Sequence, residues 1–201
     1  MSQRKQAHAR CPRCLMRIEH CFCADIPQIS LKTEILIISR AREIKAPSNT
    51  ARLAALALPN SKVLIRGSTE HPYDLKAHLD PHRRQFLLYP DPEAPTLQDF
   101  DPQIWREGAQ LIVPDGNWRQ TSKLARRDPD LAMIPKVSLA PESVSAYKIR
   151  AERKAEGLAT LEAIARALGV MEGLEVRQQL EELLARLVEG TLKARGQHTS
   201  E

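Results

Sequence analysis

Residues 111–127, LIVPDGNWRQTSKLARR, join the end of an apparent buried strand to the start of a basic, helix-compatible stretch. The apolar run at 111–113 is broken by Pro-Asp-Gly at 114–116. An acid at the carboxyl end of a strand is a common position for a general base or a ligand-orienting group. Taken alone, however, Asp115 reads more simply as a cap for the following helix. Trp118 either packs against the turn or offers a surface for stacking a base.

Similar short apolar runs, separated by turn residues or helical patterns, recur along the chain. They predict strands at 33–39, 62–66, 85–90, 110–114 and 136–139. Helical patterns cover 48–58, 158–169 and 174–194, and the stretch 90–102 is a proline-containing loop. This alternation predicts an α/β fold with a mostly parallel sheet flanked by helices. No glycine-rich dinucleotide or Walker-type motif follows a strand, which disfavours Rossmann dinucleotide enzymes and P-loop NTPases.

The composition is that of an ordinary globular domain, with 201 residues, 42% hydrophobic and 27% charged. The net charge of +5 is moderate, but the basic residues near the amino terminus precede the first acid, Glu19. Such an arm is either solvated or contacts nucleic acid. The sequence has no secretory signal and no apolar run of the roughly 20 residues that span a bilayer. We therefore expect a cytoplasmic protein with reduced thiols and no membrane association.

The four cysteines of the chain, Cys11, Cys14, Cys21 and Cys23, fall within CPRCLMRIEHCFC. The C-x2-C-x6-C-x-C spacing can surround one tetrahedral ion, and it predicts a structural zinc knuckle with no open catalytic position. Disulfides, an iron–sulfur cluster and a redox thiol pair are the alternatives, and His20 is a possible substitute ligand. The predicted organisation is a basic arm and knuckle over residues 1–30, followed by a catalytic domain over 31–201.

Several segments place polar groups at the start of apolar helices. The helix at 48–58 opens with Asn49, Thr50 and Arg52, and Ser48 or Asn49 is its predicted N-cap. The helix at 158–169 has Thr160 and Glu162 in its first turn, where free N–H groups either bind an anion or are simply capped. The three histidines within 71–84 lack metal-ligand spacing and predict a solvated loop.

Taken in order, these segments resemble the DTW-domain family of tRNA-uridine aminocarboxypropyltransferases. The matching stretches, from residue 11 to about 168, are CPRC…CFC, PSNTARLAALALPNS, LLYP, LIVPDGNWRQTSKLARR, VSL, SAYKIR and GLATLEAIARAL. The family signature Asp-x-Thr-Trp appears as residues 115–118, with Asn117 in place of the threonine. Before Glu43, the chain also lacks the His-Pro pair of many members. The resemblance implies a SPOUT-like α/β domain with a carboxyl-terminal trefoil knot, an exception to the rule against knots.

The resemblance further implies transfer of the 3-amino-3-carboxypropyl group of S-adenosylmethionine to N3 of a tRNA uridine, with release of methylthioadenosine. The implied catalytic residues are Asp115, Asn117 and Trp118. Residues at the carboxyl ends of strands would bind the donor: Leu88, Tyr89, Pro90, Leu111, Ile112, Val113, Pro114, Gly116, Val137, Ser138, Leu139 and Thr160. Basic residues would contact tRNA: Arg10, Arg13, Arg126, Arg127, Lys148, Arg150 and Arg153.

Two other functions stay open at this point. One is a SPOUT-type RNA methyltransferase that uses the same donor, and the other is a zinc-knuckle RNA-binding protein without catalysis. The apolar stripe of the helix at 174–194 indicates core packing, and contact with a partner helix or a second copy is the alternative. The expected oligomeric state is a monomer.

Overall fold

The predicted strands form one parallel sheet in the computed structural model, which describes residues 9–68, 72–141 and 158–196. The strands are β1 (Glu34–Arg40), β2 (Ser61–Arg66), β3 (Arg84–Leu88), β4 (Ala109–Pro114) and β5 (Lys136–Val137). Their order across the sheet is β2-β1-β4-β3-β5, and every neighbouring pair is parallel. The predicted α/β class and parallel sheet are therefore confirmed.

Helices connect the strands and cover the sheet. They are α1 (Ala41–Ile44), α2 (Thr50–Ala57), α3 (Pro102–Glu107), α4 (Trp118–Arg127), α5 (Pro129–Ala132), α6 (Thr160–Met171) and α7 (Leu174–Ala194). The predicted loop at 90–102 contains a 3-10 turn at Leu97–Asp99. Within the described ranges, no helix has both the length and the apolar character needed to cross a bilayer.

Both faces of the central strands β1 and β4 are buried, which explains why these strands are continuous apolar runs. In β1, Ile35 and Ile37 face one cluster and Leu36 and Ile38 face the other, and none of the four is more than 1% exposed. The first cluster contains α2, α6 and α7 together with buried side chains of the cysteine segment. The second contains α4 and α5. Fully burying one such side chain contributes about 1.5–3 kcal/mol to folding.

The apolar stripe predicted on the last helix is core packing. Leu180, Leu183, Leu184 and Leu187 of α7 are buried in the first cluster, and α7 packs along α6. This arrangement confirms the simpler interpretation of the stripe.

The strand order places a topological switch between β1 and β4. The chain passes from β1 outward to β2, whereas β4 lies on the other side of β1 and pairs there with residues 34–38. At such a switch the connections diverge to opposite faces of the sheet, which leaves a crevice beyond the carboxyl ends of the strands. Asp115 follows β4 at this crevice.

Candidate functional site: a carboxylate at the sheet edge

Asp115 accepts three side-chain hydrogen bonds from distant parts of the chain. Its Oδ2 accepts from Ser39 Oγ at 2.6 Å and from Asn49 Nδ2 at 2.9 Å. Its Oδ1 accepts from Thr160 Oγ1 at 2.6 Å. Asp115 is 9% exposed, and its backbone N–H continues the sheet by donating to the carbonyl of Ile38 at 2.8 Å. The carboxylate is therefore held at both oxygens at the end of a central strand.

Two helix amino termini meet at this carboxylate. Asn49 is the N-cap of α2: its Oδ1 accepts from the Arg52 N–H at 2.8 Å while its amide donates to Asp115. Thr160 is the first residue of α6, and the next N–H, of Leu161, donates to Thr50 Oγ1 at 3.3 Å. The amino ends of helices carry partial positive charge, so this is a favourable location for a buried acid.

Asn117, rather than Asp115, caps α4. The Asn117 side chain accepts from the Gln120 N–H at 3.0 Å, and Gln120 Oε1 accepts from the Asn117 N–H at 2.8 Å. Threonine and asparagine both serve as N-caps, so an asparagine at this position keeps the contact that a threonine would make. The capping interpretation of Asp115 is wrong, because the helix already has its cap two residues later.

We expect Asn117→Ala to destabilise the protein by about 1 kcal/mol, because the Gln120 N–H loses its acceptor. Asn117→Thr should leave stability close to that of the wild type. Urea denaturation followed by circular dichroism measures both variants. Equal destabilisation by threonine and alanine would show that capping is not what residue 117 contributes.

Gly116 lets the chain turn from the strand into α4. Its φ is +148°, a region that favours glycine, and a Cβ at this position would lie 2.7 Å from Gln120 Oε1. A side chain would thus displace the amide that completes the Asn117 cap. The Asp-Gly-Asn sequence is explained by one turn that combines a fixed acid, a glycine and a cap.

Trp118 begins α4 and is 56% exposed. Its indole stacks on the ring of Tyr89, with centroids 5.6 Å apart and an interplanar angle of 17°. Tyr89 itself is buried, and the Lys136 ammonium lies 5.4 Å from its ring centroid. The tryptophan thus braces the ends of β3 and β4 against each other and still presents aromatic surface to solvent.

The residues implied for binding S-adenosylmethionine lie in or just after β3, β4 and β5, except Thr160, which begins α6. Several of them have backbone or side-chain polar groups that are already hydrogen-bonded. Residues 111–113 are inside β4, which is hydrogen-bonded to β1 on one side and β3 on the other. The carbonyl of Val137 accepts from the Tyr89 N–H, and the Ser138 N–H donates to the carbonyl of Pro95, both at 2.9 Å. The Thr160 hydroxyl donates a hydrogen bond to Asp115 Oδ1.

The four cysteines lie close together, as predicted, with all four Sγ atoms within 4.8 Å of one another. Cys11 and Cys23 Sγ are 3.5 Å apart, and Cys14 and Cys21 Sγ are 3.7 Å apart. Tetrahedral zinc with Zn–S bonds of about 2.3 Å needs sulfur separations of about 3.8 Å, so the donor set fits this ion. His20 pairs with Glu19 at 3.5 Å and does not join the cluster.

Backbone N–H groups of the first cysteine loop favour a thiolate. Hydrogen bonds from the Cys14 and Arg13 N–H groups lower the pKa of Cys11 to about 6, against the opposing effect of burial. Burial raises the pKa of Cys14, and it raises that of Cys23 to about 12. The loop is closed by Leu15 in the left-handed region, at φ 58°. Four thiolates this close together need a cation to compensate their charge.

A basic surface covers one side of α4, and we call it the α4 basic face: Arg119, Lys123, Arg126 and Arg127. These residues surround a depression of about 490 Å³. None pairs with a carboxylate in the part of the chain that the structure describes. The sequence prediction included the last two and missed the first two, although their four-residue spacing was visible.

The remaining predicted RNA contacts are distributed differently. Arg10 lies on the knuckle, where its guanidinium donates to the Leu15 carbonyl at 2.9 Å, and Arg13 is exposed in the same loop. Lys148, Arg150 and Arg153 lie outside the described residues. Glu43, near the end of α1, accepts a long 3.4 Å hydrogen bond from Gln120 Nε2, which places it beside the Asp115 turn.

Comparison with protein families agrees with this geometry. The family model described as "DTW domain" matches residues 8–192, which include the knuckle, the Asp115 turn and most of α7. The chain belongs to the DTW-domain family. This assignment confirms the resemblance carried by the cysteine segment and residues 115–118.

Three similar proteins are named tRNA-uridine aminocarboxypropyltransferase 2. The Drosophila melanogaster protein is 27% identical over 179 residues, the Macaca fascicularis protein 26% over 195 and the Mus musculus protein 28% over 170. The alignments cover 85%, 94% and 81% of this chain. The chain spans 70%, 64% and 56% of the respective relatives' lengths.

Proposed function

We propose that this DTW-domain protein transfers the 3-amino-3-carboxypropyl group of S-adenosylmethionine to N3 of a tRNA uridine. The proposal rests on one observation above others: Asp115 of the family signature is anchored by three side chains at the ligand crevice of the sheet. The names of the three relatives support the same activity. All side chains invoked come from one chain, so the proposal requires no second copy.

The reaction requires the protein to position S-adenosylmethionine and the uridine and to accept one proton. A bond forms between uridine N3 and the carbon beside the sulfonium, and the carbon–sulfur bond breaks. The bonding pair neutralises the sulfur, which leaves in methylthioadenosine, and the N3 proton leaves with a base. Because the leaving group is already activated, correct placement and proton removal are the main tasks of the side chains.

Asp115 suits the uridine side of this reaction. A carboxylate offers about four lone-pair positions, and three are filled by Ser39, Asn49 and Thr160. We assign the remaining position on Oδ1 to the uridine N3–H, which Asp115 orients and whose proton it accepts. Its fixed partners remove the need to reorganise the acid during the reaction.

We place the donor at the loops that leave β3, β4 and β5. Residues 111 and 112 are paired on both sides within the sheet and Val113 is paired on one side, so we expect the contacts from Pro114 and Gly116 and from the segments after Leu88 and Val137. The proposal includes the SPOUT-like fold and its carboxyl-terminal trefoil knot, on the strength of the family resemblance. It also includes one structural zinc on the four cysteines and a cytoplasmic location.

The α4 basic face is the surface we assign to the tRNA backbone. It begins four residues after Asp115, so bound phosphates would lie next to the reaction centre. In sequence, Trp118 stands between Asp115 and the α4 basic face. Its exposed indole offers a platform for an unstacked base. Arginines and lysines without carboxylate partners are suited to phosphates, because no internal ion pair must be broken.

The function is tested with donor that carries its label either in the carboxyl carbon or in the methyl carbon. Incubation with unmodified tRNA should move the carboxyl label into RNA and leave the methyl label in methylthioadenosine. Methyl label in the RNA would instead identify a methyltransferase. Retention of tRNA with no transfer of either label would identify a binding protein.

The double variant Lys123→Gln/Arg126→Gln should weaken tRNA binding and reduce its salt dependence. The slope of log K against log salt should fall by about 0.7–0.9 for every phosphate that the protein no longer neutralises. Filter binding over a range of salt concentrations measures the slope. The matched control is Lys62→Gln/Lys193→Gln, which removes the same charge from two lysines paired with glutamates. Equal effects of the two double variants would contradict the assignment of α4.

A further inference from the structure

The cysteine segment is attached to α2 by the side chain of Arg52. The guanidinium donates from Nη1 to the carbonyl of Arg13 and from Nη2 to the carbonyl of Cys14, the latter at 2.9 Å. Both carbonyls belong to the loop that carries the first pair of cysteines. A planar guanidinium fixes two acceptors at once, so it holds the orientation of this loop relative to α2 as well as its distance.

The same residue is part of the amino-terminal cap of α2. The backbone N–H of Arg52 donates to Asn49 Oδ1 at 2.8 Å, and Asn49 Nδ2 donates to Asp115 at 2.9 Å. A continuous path therefore leads from the Cys14 carbonyl through the side chain and backbone N–H of Arg52 to the Asn49 side chain, and from there to the carboxylate of Asp115 at the end of β4. The two sites share Arg52 and Asn49 although they lie in separate parts of the sequence.

Charge favours this path when the cysteine site holds its ion. Zinc with four thiolates has a net charge of −2, from +2 for the ion and −4 for the ligands. The Arg52 guanidinium is bound to the loop that carries Cys11 and Cys14, so its positive charge lies beside this anionic cluster.

A second contact attaches the knuckle to the core but has no connection to the Asp115 carboxylate. Arg186 Nη1 of α7 lies 3.1 Å from Asp25 Oδ2, on the carboxyl-terminal side of the cysteines. This contact, together with the buried side chains of Cys14, Met16 and Phe22, fastens the knuckle to the core without involving Asn49. Arg52 differs because its own N–H is the group that Asn49 caps.

We propose that Arg52 is a positioning residue that couples the occupied metal site to Asn49 and thereby to Asp115. The zinc knuckle then stabilises the geometry of the proposed reaction centre in addition to its own fold. The coupling itself follows from the contacts above, and only its effect on catalysis rests on the proposed transferase function.

Amide hydrogen exchange of zinc-loaded protein tests the coupling without any reaction. In Arg52→Met we expect the amides in the first turn of α2 to exchange on the order of tenfold faster than in the wild type, as when a helix cap is removed. Removing zinc with a chelator should speed exchange of the same amides in the wild type and add little in Arg52→Met. Arg186→Met should behave like the wild type in both states.

The amides of β4 report whether a variant or the metal-free protein has unfolded more widely. If the β4 amides also exchange faster after chelation, the metal-free protein has unfolded more widely, and Arg52→Met is then compared with the wild type in the zinc-loaded state alone. Unchanged exchange in zinc-loaded Arg52→Met would overturn the proposal. The proposal would also be overturned if chelation sped exchange of the α2 amides in Arg52→Met as much as in the wild type while the β4 amides stayed protected.

Steady-state kinetics provide the second readout. Arg52→Met should lower kcat with little change in the KM for tRNA, and Arg52→Lys, which keeps the charge and part of the hydrogen bonding, should recover part of the rate. A selective rise in KM would contradict positioning of the carboxylate. Absence of transfer by the wild type would count against the proposed function alone, because the exchange experiment stands independently.

Discussion

Asp115→Asn is expected to abolish aminocarboxypropyl transfer while the protein remains folded and still binds tRNA. The amide has nearly the same shape as the acid, but it cannot accept a proton and presents N–H donors where Ser39, Asn49 or Thr160 already donate. Losing a general base costs a factor of roughly 10²–10⁴ in rate. Initial rates with carboxyl-labelled donor measure the loss, and filter binding measures tRNA retention.

Asp128→Asn is the matched control for this substitution. Asp128 is also a buried acid, but it caps α5 by accepting from the N–H groups of Asp130 and Leu131. Its replacement should reduce stability without a comparable loss of transfer by the folded protein. Undiminished turnover in Asp115→Asn would remove Asp115 as the essential residue, and equal losses in both variants would indicate general destabilisation.

Cys14→Ser is expected to release the zinc and to destabilise the whole domain. Cys14, Met16 and Phe22 are buried in the same cluster as α2 and α7, so loosening the knuckle also exposes part of the main core. Structural zinc contributes several kcal/mol to folding, which predicts a fall in Tm on the order of 10 °C. Elemental analysis measures the metal, and calorimetry measures Tm.

His20→Ala is the control for loss of the metal. His20 is next to Cys21 in sequence but pairs with Glu19, so this variant should keep about one zinc per chain. A cobalt-substituted wild type should show the absorption of a tetrahedral thiolate site. A metal-free wild type with unchanged Tm would refute a required structural zinc.

The strands and long helices could be predicted because their signals are local. A short apolar run rich in isoleucine, such as 33–39, predicts a buried strand from its own residues. The strand order β2-β1-β4-β3-β5 depends on how distant segments pack. No local pattern contains that information.

The candidate site was predictable only in part, because only some of its residues have a local sequence signal. Asn49 and Thr160 stood out at helix starts, but Ser39 at the end of an apolar run carries no distinguishing signal. That all three bind Asp115 is evident only from the folded structure, in which β1, α2, β4 and α6 come together. The stack of Trp118 on Tyr89 likewise joins two strand ends that are distant in sequence.

Asn117 shows the limit of judging a residue by its family pattern alone. A sequence comparison registers the missing hydroxyl, whereas the structure gives the residue a capping contact that an amide also makes. By contrast, Arg119 and Lys123 need no long-range packing to be placed. They share one helix face with Arg126 and Arg127, and helical spacing alone was sufficient to identify them.

The identity of the modified nucleoside tests the central claim most directly. Unmodified tRNA is incubated with zinc-loaded protein and S-adenosylmethionine, digested to nucleosides and analysed by mass spectrometry beside an Asp115→Asn reaction. We predict uridine with the aminocarboxypropyl group on N3 in the wild-type reaction and unmodified uridine in the variant reaction. A methylated nucleoside, or unmodified tRNA after incubation with folded, tRNA-binding wild type, would contradict the proposal.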